Sequence, residues 1–121
     1  MAANATRSVT TQYTGDVVGT EVFTSTTNVT SPACITLHNL ASGSNTITPP
    51  PFGSAGGISL AGVTIIPPVG NTAGITLKGV AGDTGFALHK TDPTSLGLDS
   101  GLTAFVLGAT AAITGVRCFW T

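Results

Sequence analysis

Charged side chains are scarce in this sequence. Asp, Glu, Lys and Arg together make up 7% of its 121 residues, whereas an ordinary globular chain has about 25%. The net charge is −1, and the four basic residues, Arg7, Lys78, Lys90 and Arg117, are scattered along the chain. Binding of nucleic acid depends on clustered basic residues that displace counterions. The composition therefore excludes an electrostatic role of that kind.

Long apolar runs are missing as well. No stretch of the sequence reaches the roughly 18 continuous apolar residues of a membrane span. Residues 1–10 also lack the basic start and the apolar centre of a signal peptide. We therefore expect a protein that is made and kept in solution and has no membrane partner.

Cysteine is rare, with Cys34 and Cys118 as the two examples. One disulfide bridge between them is possible in principle. A domain of this size needs no covalent cross-link, however, and both residues lie in apolar runs that are typical of strands. The sequence therefore predicts two buried free thiols.

Residues that carry out catalysis are few and form no recognised motif. His89 lies beside Lys90 and near Asp92, which indicates an exposed strand end rather than an active site. The histidine spacing of a zinc site is missing. Calcium bound by the turn aspartates Asp83, Asp92 and Asp99 is the alternative, although aspartates favour turns in any case. We expect a non-enzymatic protein with no cofactor and no metal.

Alternation of apolar and polar residues is what the chain does have. In residues 33–40 (ACITLHNL), Ile35 and Leu37 alternate with Cys34, Thr36 and His38, which predicts a strand with those two inward. His38 is then expected to face away from the core or to line a subunit contact. A second strand is predicted at residues 57–66, with a bulge at Gly62 where the alternation changes phase. Further strands are predicted at residues 73–80, 85–90, 94–99, 102–108 and 112–121.

Turn residues, for example those at 42–45, separate these strands at intervals of eight to twelve residues, and helix signals are nearly absent. This pattern predicts an all-β fold, either a jelly roll or a β-sandwich of about eight antiparallel strands. The domain is expected to span residues 31–121. Residues 1–30 are more polar and are expected to form an extended N-terminal arm or edge strands, with a frayed terminus as the alternative.

Apolar content is high for so little charge. Hydrophobic residues make up 41% of the chain and the mean hydropathy is +0.41, while monomers in solution expose only small apolar patches. We therefore expect a homo-oligomer, with a trimer as the first choice. The expected contact residues are Tyr13 and Phe23 on the arm and Phe52 in the proline-rich loop at 49–53, unless Phe52 folds back over the domain.

Four segments carry a resemblance to a known class of protein. Residues 64–68 (TIIPP), 74–85 (GITLKGVAGDTG), 90–98 (KTDPTSLGL) and 112–120 (AITGVRCFW) resemble the small virion proteins of tailed bacteriophages. The likeness is first to capsid decoration (cement) proteins and second to fibre or tail-tip domains, and it covers residues 33–121.

The resemblance implies a jelly roll or sandwich that oligomerises on a viral shell and stabilises it by adding buried interface. The implied partners are the major capsid protein and further copies of this chain, and the implied location is the virion, assembled in the host cytoplasm. A receptor-binding fibre tip and a jelly-roll carbohydrate-binding module are the alternatives. The latter would need a row of exposed aromatic residues, but aromatics make up only 6% of the chain.

Overall fold

The computed structural model describes residues 2–13, 19–30, 35–49, 62–99 and 101–120. These residues contain no helix, so the all-β prediction is confirmed. Their strands are β1 (Ala2–Tyr13), β2 (Gly19–Thr30), β3 (Ile35–Leu40), β4 (Gly43–Ile47), β5 (Gly62–Ile66), β6 (Ile75–Lys78), β7 (Phe86–Ala87), β8 (Thr94–Gly97), β9 (Phe105–Ala109) and β10 (Ile113–Trp120).

Strands β3 to β10 form two four-stranded antiparallel sheets. The first sheet has the order β3-β10-β5-β8 and the second has the order β4-β9-β6-β7. Four of the pairs are nested like the two arms of one long hairpin. The outermost pair is β3 with β10, followed by β4 with β9, β5 with β8, and β6 with β7. Successive nested pairs alternate between the first sheet and the second.

Both sheets contribute to one hydrophobic core. Trp120 of the first sheet and Phe105 of the second are buried, and their ring centroids lie 6.0 Å apart. Burial of such large apolar side chains is the main favourable term in folding. The other buried members of the core are Leu40, Ile47, Val63, Ile65, Ile75, Leu107, Ala109, Ile113, Val116 and Cys118.

Strands β1 and β2 form a separate two-stranded sheet. They pair in antiparallel register from Ala2 opposite Thr30 to Tyr13 opposite Gly19. Among the described strands, neither is hydrogen-bonded into a four-stranded sheet. The chain thus has a hairpin of two twelve-residue strands before its core strands.

The predicted orientation of β3 is wrong. Ile35 and Leu37 were expected in the core, but they are 49% and 67% exposed. Strand β10 decides the matter, because its Val116 and Cys118 are fully buried and lie opposite His38 and Thr36. Residues that pair directly share a face of the sheet. His38 and Thr36 therefore lie on the inner side and the two aliphatic residues on the outer side.

One local prediction also needs correction. Residues 42–45 were expected to be a turn, but β4 starts at Gly43 and is anchored by Ile47, which is 1% exposed. The bulge predicted at Gly62 involves residues 57–61, which lie outside the described residues, and from Gly62 onwards the pairing of β5 has no register shift. A register shift lies in β10, between Ile113 and Val116, where Gly115 has a φ of 90° that favours glycine.

Candidate functional surface

The outer side of the first sheet carries a row of apolar residues. Ile35 lies opposite Phe119, and Leu37 lies opposite Arg117, which in turn lies opposite Ile66 of β5. Phe119 and Ile66 are half-buried, and the two β3 residues are exposed. We call Ile35, Leu37, Phe119 and Ile66, together with Arg117 between them, the outer apolar face.

Arg117 is the charged residue of this face. Its guanidinium carbon lies 5.8 Å from the centroid of the Phe119 ring, a distance at which the cation is attracted to the ring. No described carboxylate forms an ion pair with it. The face therefore presents aliphatic surface around one cation that an incoming carboxylate can reach.

The inner side of β3 holds a polar group of three side chains, in which Trp120 is fully buried and Thr36 and His38 are partly buried. The indole Nε1 of Trp120 donates a hydrogen bond of 2.8 Å to Thr36 Oγ1. The same hydroxyl lies 2.7 Å from His38 Nε2. Indole is only a donor, so Thr36 accepts from Trp120 and its own hydroxyl proton is free to reach the imidazole. We call these residues the Trp120–Thr36–His38 network.

Burial affects both titratable groups on this side of the sheet. Desolvation lowers the pKa of His38 below its ordinary value of 6.5, because burial disfavours the charged imidazolium. Desolvation also raises the pKa of the Cys118 thiol to about 11. A neutral histidine suits the network, since a neutral Nε2 can accept the proton of Thr36. These features indicate a structural role for the network.

A cleft of about 430 Å³ opens between the two sheets. Leu77 and Phe86 of the second sheet line one side of it and Leu96 of the first sheet the other. Phe86 was expected inside a strand of residues 85–90, but β7 has two residues and leaves Phe86 59% exposed. The remaining lining residues are Lys78, Gly79, Asp83, Gly85, Leu98, Leu102 and Phe105.

His89 and Asp92 lie side by side in the turn after β7. The carboxylate lies 3.6 Å from His89 Nδ1, and both side chains are mostly exposed. The same Nδ1 accepts hydrogen bonds from the backbone N–H groups of Asp92 at 2.9 Å and Thr91 at 3.2 Å. Through these bonds the histidine holds the turn that follows β7. It is exposed, as predicted, although β7 itself ends at Ala87.

The described residues contain no group of three or more His, Cys, Asp or Glu side chains that could hold a metal ion. Asp83 and Asp99, considered as calcium ligands from sequence, instead bond to backbone. Asp83 accepts from the N–H of Val80 at 2.9 Å, and Asp99 accepts from that of Gly101 at 2.8 Å. Across the same part of the chain, no helix is long and apolar enough to cross a membrane.

The predicted contact residues lie away from the outer apolar face in sequence. Tyr13 ends β1 and Phe23 lies in β2 opposite Val9. Phe52 and Cys34 lie outside the described residues. Cys118 is a buried free thiol, as predicted for it.

Sequence reasoning missed Ile35 and Leu37 as surface residues. The signal that could have revealed them is Leu40, which has the same parity as Thr36 and His38 and is 3% exposed. A buried residue at position 40 puts the odd-numbered positions of β3 on the outer side.

The comparisons with known proteins give no significant match: no protein-family model, no curated protein and no solved structure resembles this chain. Any function must therefore be argued from the surface itself.

Proposed function

We propose that this chain is a non-enzymatic structural protein that works through contacts between subunits, and that its setting is a virion shell, where it acts as a decoration or cement protein. Its partners in this proposal are further copies of the chain, as a trimer, and the major capsid protein. The exposed outer apolar face is the observation that carries the proposal.

A jelly-roll arrangement of the two sheets is part of this proposal. A jelly roll results when a long antiparallel hairpin wraps around a core, so that nested strand pairs fall alternately into two sheets. The orders β3-β10-β5-β8 and β4-β9-β6-β7 support this arrangement, as does the contact between Phe105 and Trp120 across the core. Jelly rolls occur in viral capsid proteins and in lectins, so the fold alone does not choose a function.

The exposure of the outer apolar face favours self-association of the chain. Fully burying a Leu or Ile side chain contributes about 1.5–3 kcal/mol. Ile35 and Leu37 are 49% and 67% exposed, so covering them in an interface would contribute roughly half of that free energy for each residue. The two residues are neighbours on one edge strand, where natural sheets commonly place charges or proline to prevent pairing with other chains. Strand β3 has neither lysine nor proline. Its surface is therefore suited to a subunit contact.

A carbohydrate-binding module has less support. Such a module would present aromatic rings in a row, but Trp120 is fully buried and its ring packs against Phe105 in the core. Phe119, the aromatic residue of the outer apolar face, is covered in part by Arg117. Among the described residues this leaves no platform of the kind that stacks on sugars.

The oligomeric state tests the proposal. We expect light scattering at micromolar concentration to show an oligomer for the unmodified protein. The double variant I35T/L37T should shift the mass toward the monomer, because it removes apolar surface while threonine, which is β-branched, suits a strand at both positions. The matched control is V69T/V80T, which alters two exposed apolar residues outside the strands and should leave the mass unchanged.

A shell-binding experiment tests the setting. The protein would be mixed with undecorated tailed-phage shells and pelleted, and we expect it in the pellet with I35T/L37T retained less. A monomeric unmodified protein would overturn the proposal of self-association. An oligomer that fails to pellet with shells but binds host cells would favour the fibre or tail-tip reading instead.

A further inference from the structure

The cleft between the two sheets has mainly apolar walls. Six of its ten lining residues are leucine or phenylalanine: Leu77, Phe86, Leu96, Leu98, Leu102 and Phe105. All four leucines are partly buried and pack against the hydrophobic core. Phe105 is 5% exposed, and its ring packs against that of Trp120. The core therefore holds these walls in place, as is usual for a ligand site that is formed before its ligand binds.

The two charged residues at the cleft have their charges engaged elsewhere. Gly108 follows the fully buried Leu107 in β9, so a side chain at position 108 would lie on the outer side of the second sheet. The ammonium nitrogen of Lys78 lies 3.6 Å from where that side chain's Cβ would be, so it is on the outer side too. The Asp83 carboxylate accepts the N–H of Val80 at 2.9 Å, which ties it to its own turn. Neither charge is therefore placed to hold a charged ligand among the leucines.

The volume of the cleft indicates the size of the ligand. It is about 430 Å³, and sites for small molecules usually measure about 300–1,000 Å³. A cavity of about 150 Å³ with walls of leucine, isoleucine and phenylalanine takes up one benzene molecule. The cleft is roughly three times as large, so it has room for about three aromatic rings or an aliphatic group of that size.

We propose that this cleft binds a small, uncharged and apolar ligand of about three rings in size. The proposal goes beyond the subunit contacts of the proposed function and does not depend on them. Removal of the ligand's apolar surface from water drives the binding. A charged ligand would lose its hydration among the leucines without gaining a partner, which is costly. The cleft therefore selects its ligand by size and by the absence of charge.

Two fluorescent probes that differ by a single charge test this chemistry. N-phenyl-1-naphthylamine is a phenyl ring joined to naphthalene and is uncharged, and 8-anilinonaphthalene-1-sulfonate is the same ring system with one sulfonate. We expect the uncharged probe to gain fluorescence on addition of the folded protein. It should bind at least about tenfold more tightly than the sulfonate. Equal affinities would overturn the proposal, because they would indicate adsorption to a surface that stays in water.

NMR of the leucine methyl groups locates the bound probe. On addition of N-phenyl-1-naphthylamine we expect the methyl signals of Leu77, Leu96, Leu98 and Leu102 to shift. The methyl signals of Leu37, on the outer apolar face, should stay unchanged. Shifts at Leu37 without shifts at the four other leucines would place the probe on the outer apolar face and show the proposal to be wrong.

Variants with matched controls test the walls of the cleft. L98F reduces its volume without adding polarity, so it should weaken binding of the uncharged probe at least about tenfold. L37F makes the same substitution on the outer apolar face and should leave the affinity unchanged. F86A removes part of one wall at a residue that is 59% exposed, so the fold should tolerate it, and we expect roughly fivefold weaker binding. Circular dichroism confirms that each variant retains its β spectrum.

The outcomes separate this inference from the proposed function. A monomeric protein that binds the uncharged probe in the cleft supports the inference while it overturns self-association. An oligomer whose probe affinity is unaltered by both L98F and F86A overturns the inference alone. A lower oligomer mass in L98F would mean that part of a second copy occupies the cleft, and the proposal of a small-molecule ligand would then be wrong.

Discussion

Trp120 shows how a single residue determines the polarity of a strand. Its indole N–H is buried and must find an acceptor, since an unpaired buried donor costs about 1–3 kcal/mol. Thr36 supplies that acceptor from β3, 84 residues away along the chain. This hydrogen bond requires Thr36, and with it His38, to lie on the inner side of β3. Ile35 and Leu37 therefore lie on the outer side.

His38 makes the free energy of unfolding depend on pH. Burial lowers its pKa in the folded protein below 6.5, so between the two values the unfolded chain binds more protons than the folded one. Folding stability is therefore fully present above the unfolded pKa, and we expect it to fall as the pH drops below about 6.5. Urea unfolding between pH 7.5 and pH 5.5 measures the effect.

Two variants assign that effect to its residue. H38Q keeps a hydrogen-bonding group near Thr36 but no longer titrates, so its stability should change less over this pH range. H89N alters the exposed histidine of the turn, where an amide oxygen can replace Nδ1 as acceptor, and should keep the full pH dependence. A pH profile that H38Q leaves unaltered would contradict the assignment.

At the level of elements, most strands after residue 61 could be predicted from sequence. Their alternation and their Gly, Pro and Asp turns place β5, β6, β8 and β10 inside the predicted ranges, and β9 ends one residue beyond its predicted range of 102–108. Strand β4 could not be found in this way. Its glycine, serine and asparagine favour a turn, and it forms because it pairs with β9, a partner distant in sequence.

The inward side of β3 could not be predicted from its own residues. Alternation reveals that two sides exist, but the partner strand decides which of them meets the core. Val116, Cys118 and Trp120 of β10 are all fully buried, and the larger apolar volume of that strand prevails over Ile35 and Leu37. The candidate surface was missed for the same reason, because it consists of residues that the pattern had assigned to the core.

The turn between β6 and β7 depends on Gly85. Its φ is +66°, and a Cβ there would overlap the carbonyl oxygen of Leu77 and lie 2.7 Å from Lys78 Cγ. We expect G85A to be strongly destabilising. Gly70 is the matched control, because its φ is +74° but a Cβ would meet nothing within 4 Å.

The difference in unfolding free energy between G85A and G70A measures the cost of the steric overlap at position 85. G70A should cost about 1–2 kcal/mol, the usual penalty for a side chain in the left-handed region. G85A should cost at least about 2 kcal/mol more in denaturant unfolding, since backbone must move to admit the methyl group. Equal losses of unfolding free energy in G85A and G70A would mean that the backbone around Gly85 moves to admit the methyl group at no cost.

At the level of the whole molecule, both composition and structure favour self-association. The sequence has few charged residues and many apolar ones, which predicts association but does not say which surface is involved. The structure adds the position of an exposed apolar surface, the outer apolar face of the first sheet, where Ile35 and Leu37 are 49% and 67% exposed. Tyr13 on β1 and Phe23 on β2 remain contact predictions.

The nested order of the strands also predicts how the chain folds. The outermost pair, β3 with β10, can form only after about 80 intervening residues are brought together, and the hydrogen bonds from Trp120 to Thr36 and from Gly115 to Asn39 span 84 and 76 residues. Folds dominated by such distant contacts form in milliseconds to seconds, because the entropy of closing long loops is lost before the contacts compensate for it.

Trp120 is the sole tryptophan and is fully buried, so its fluorescence reports this final closure. We expect stopped-flow refolding to show the change on that slow timescale, at a rate independent of protein concentration. A rate proportional to protein concentration would instead mean that Trp120 is buried only on association. Refolding that is complete within about a millisecond would contradict the prediction that pairing of β3 with β10 limits the folding rate.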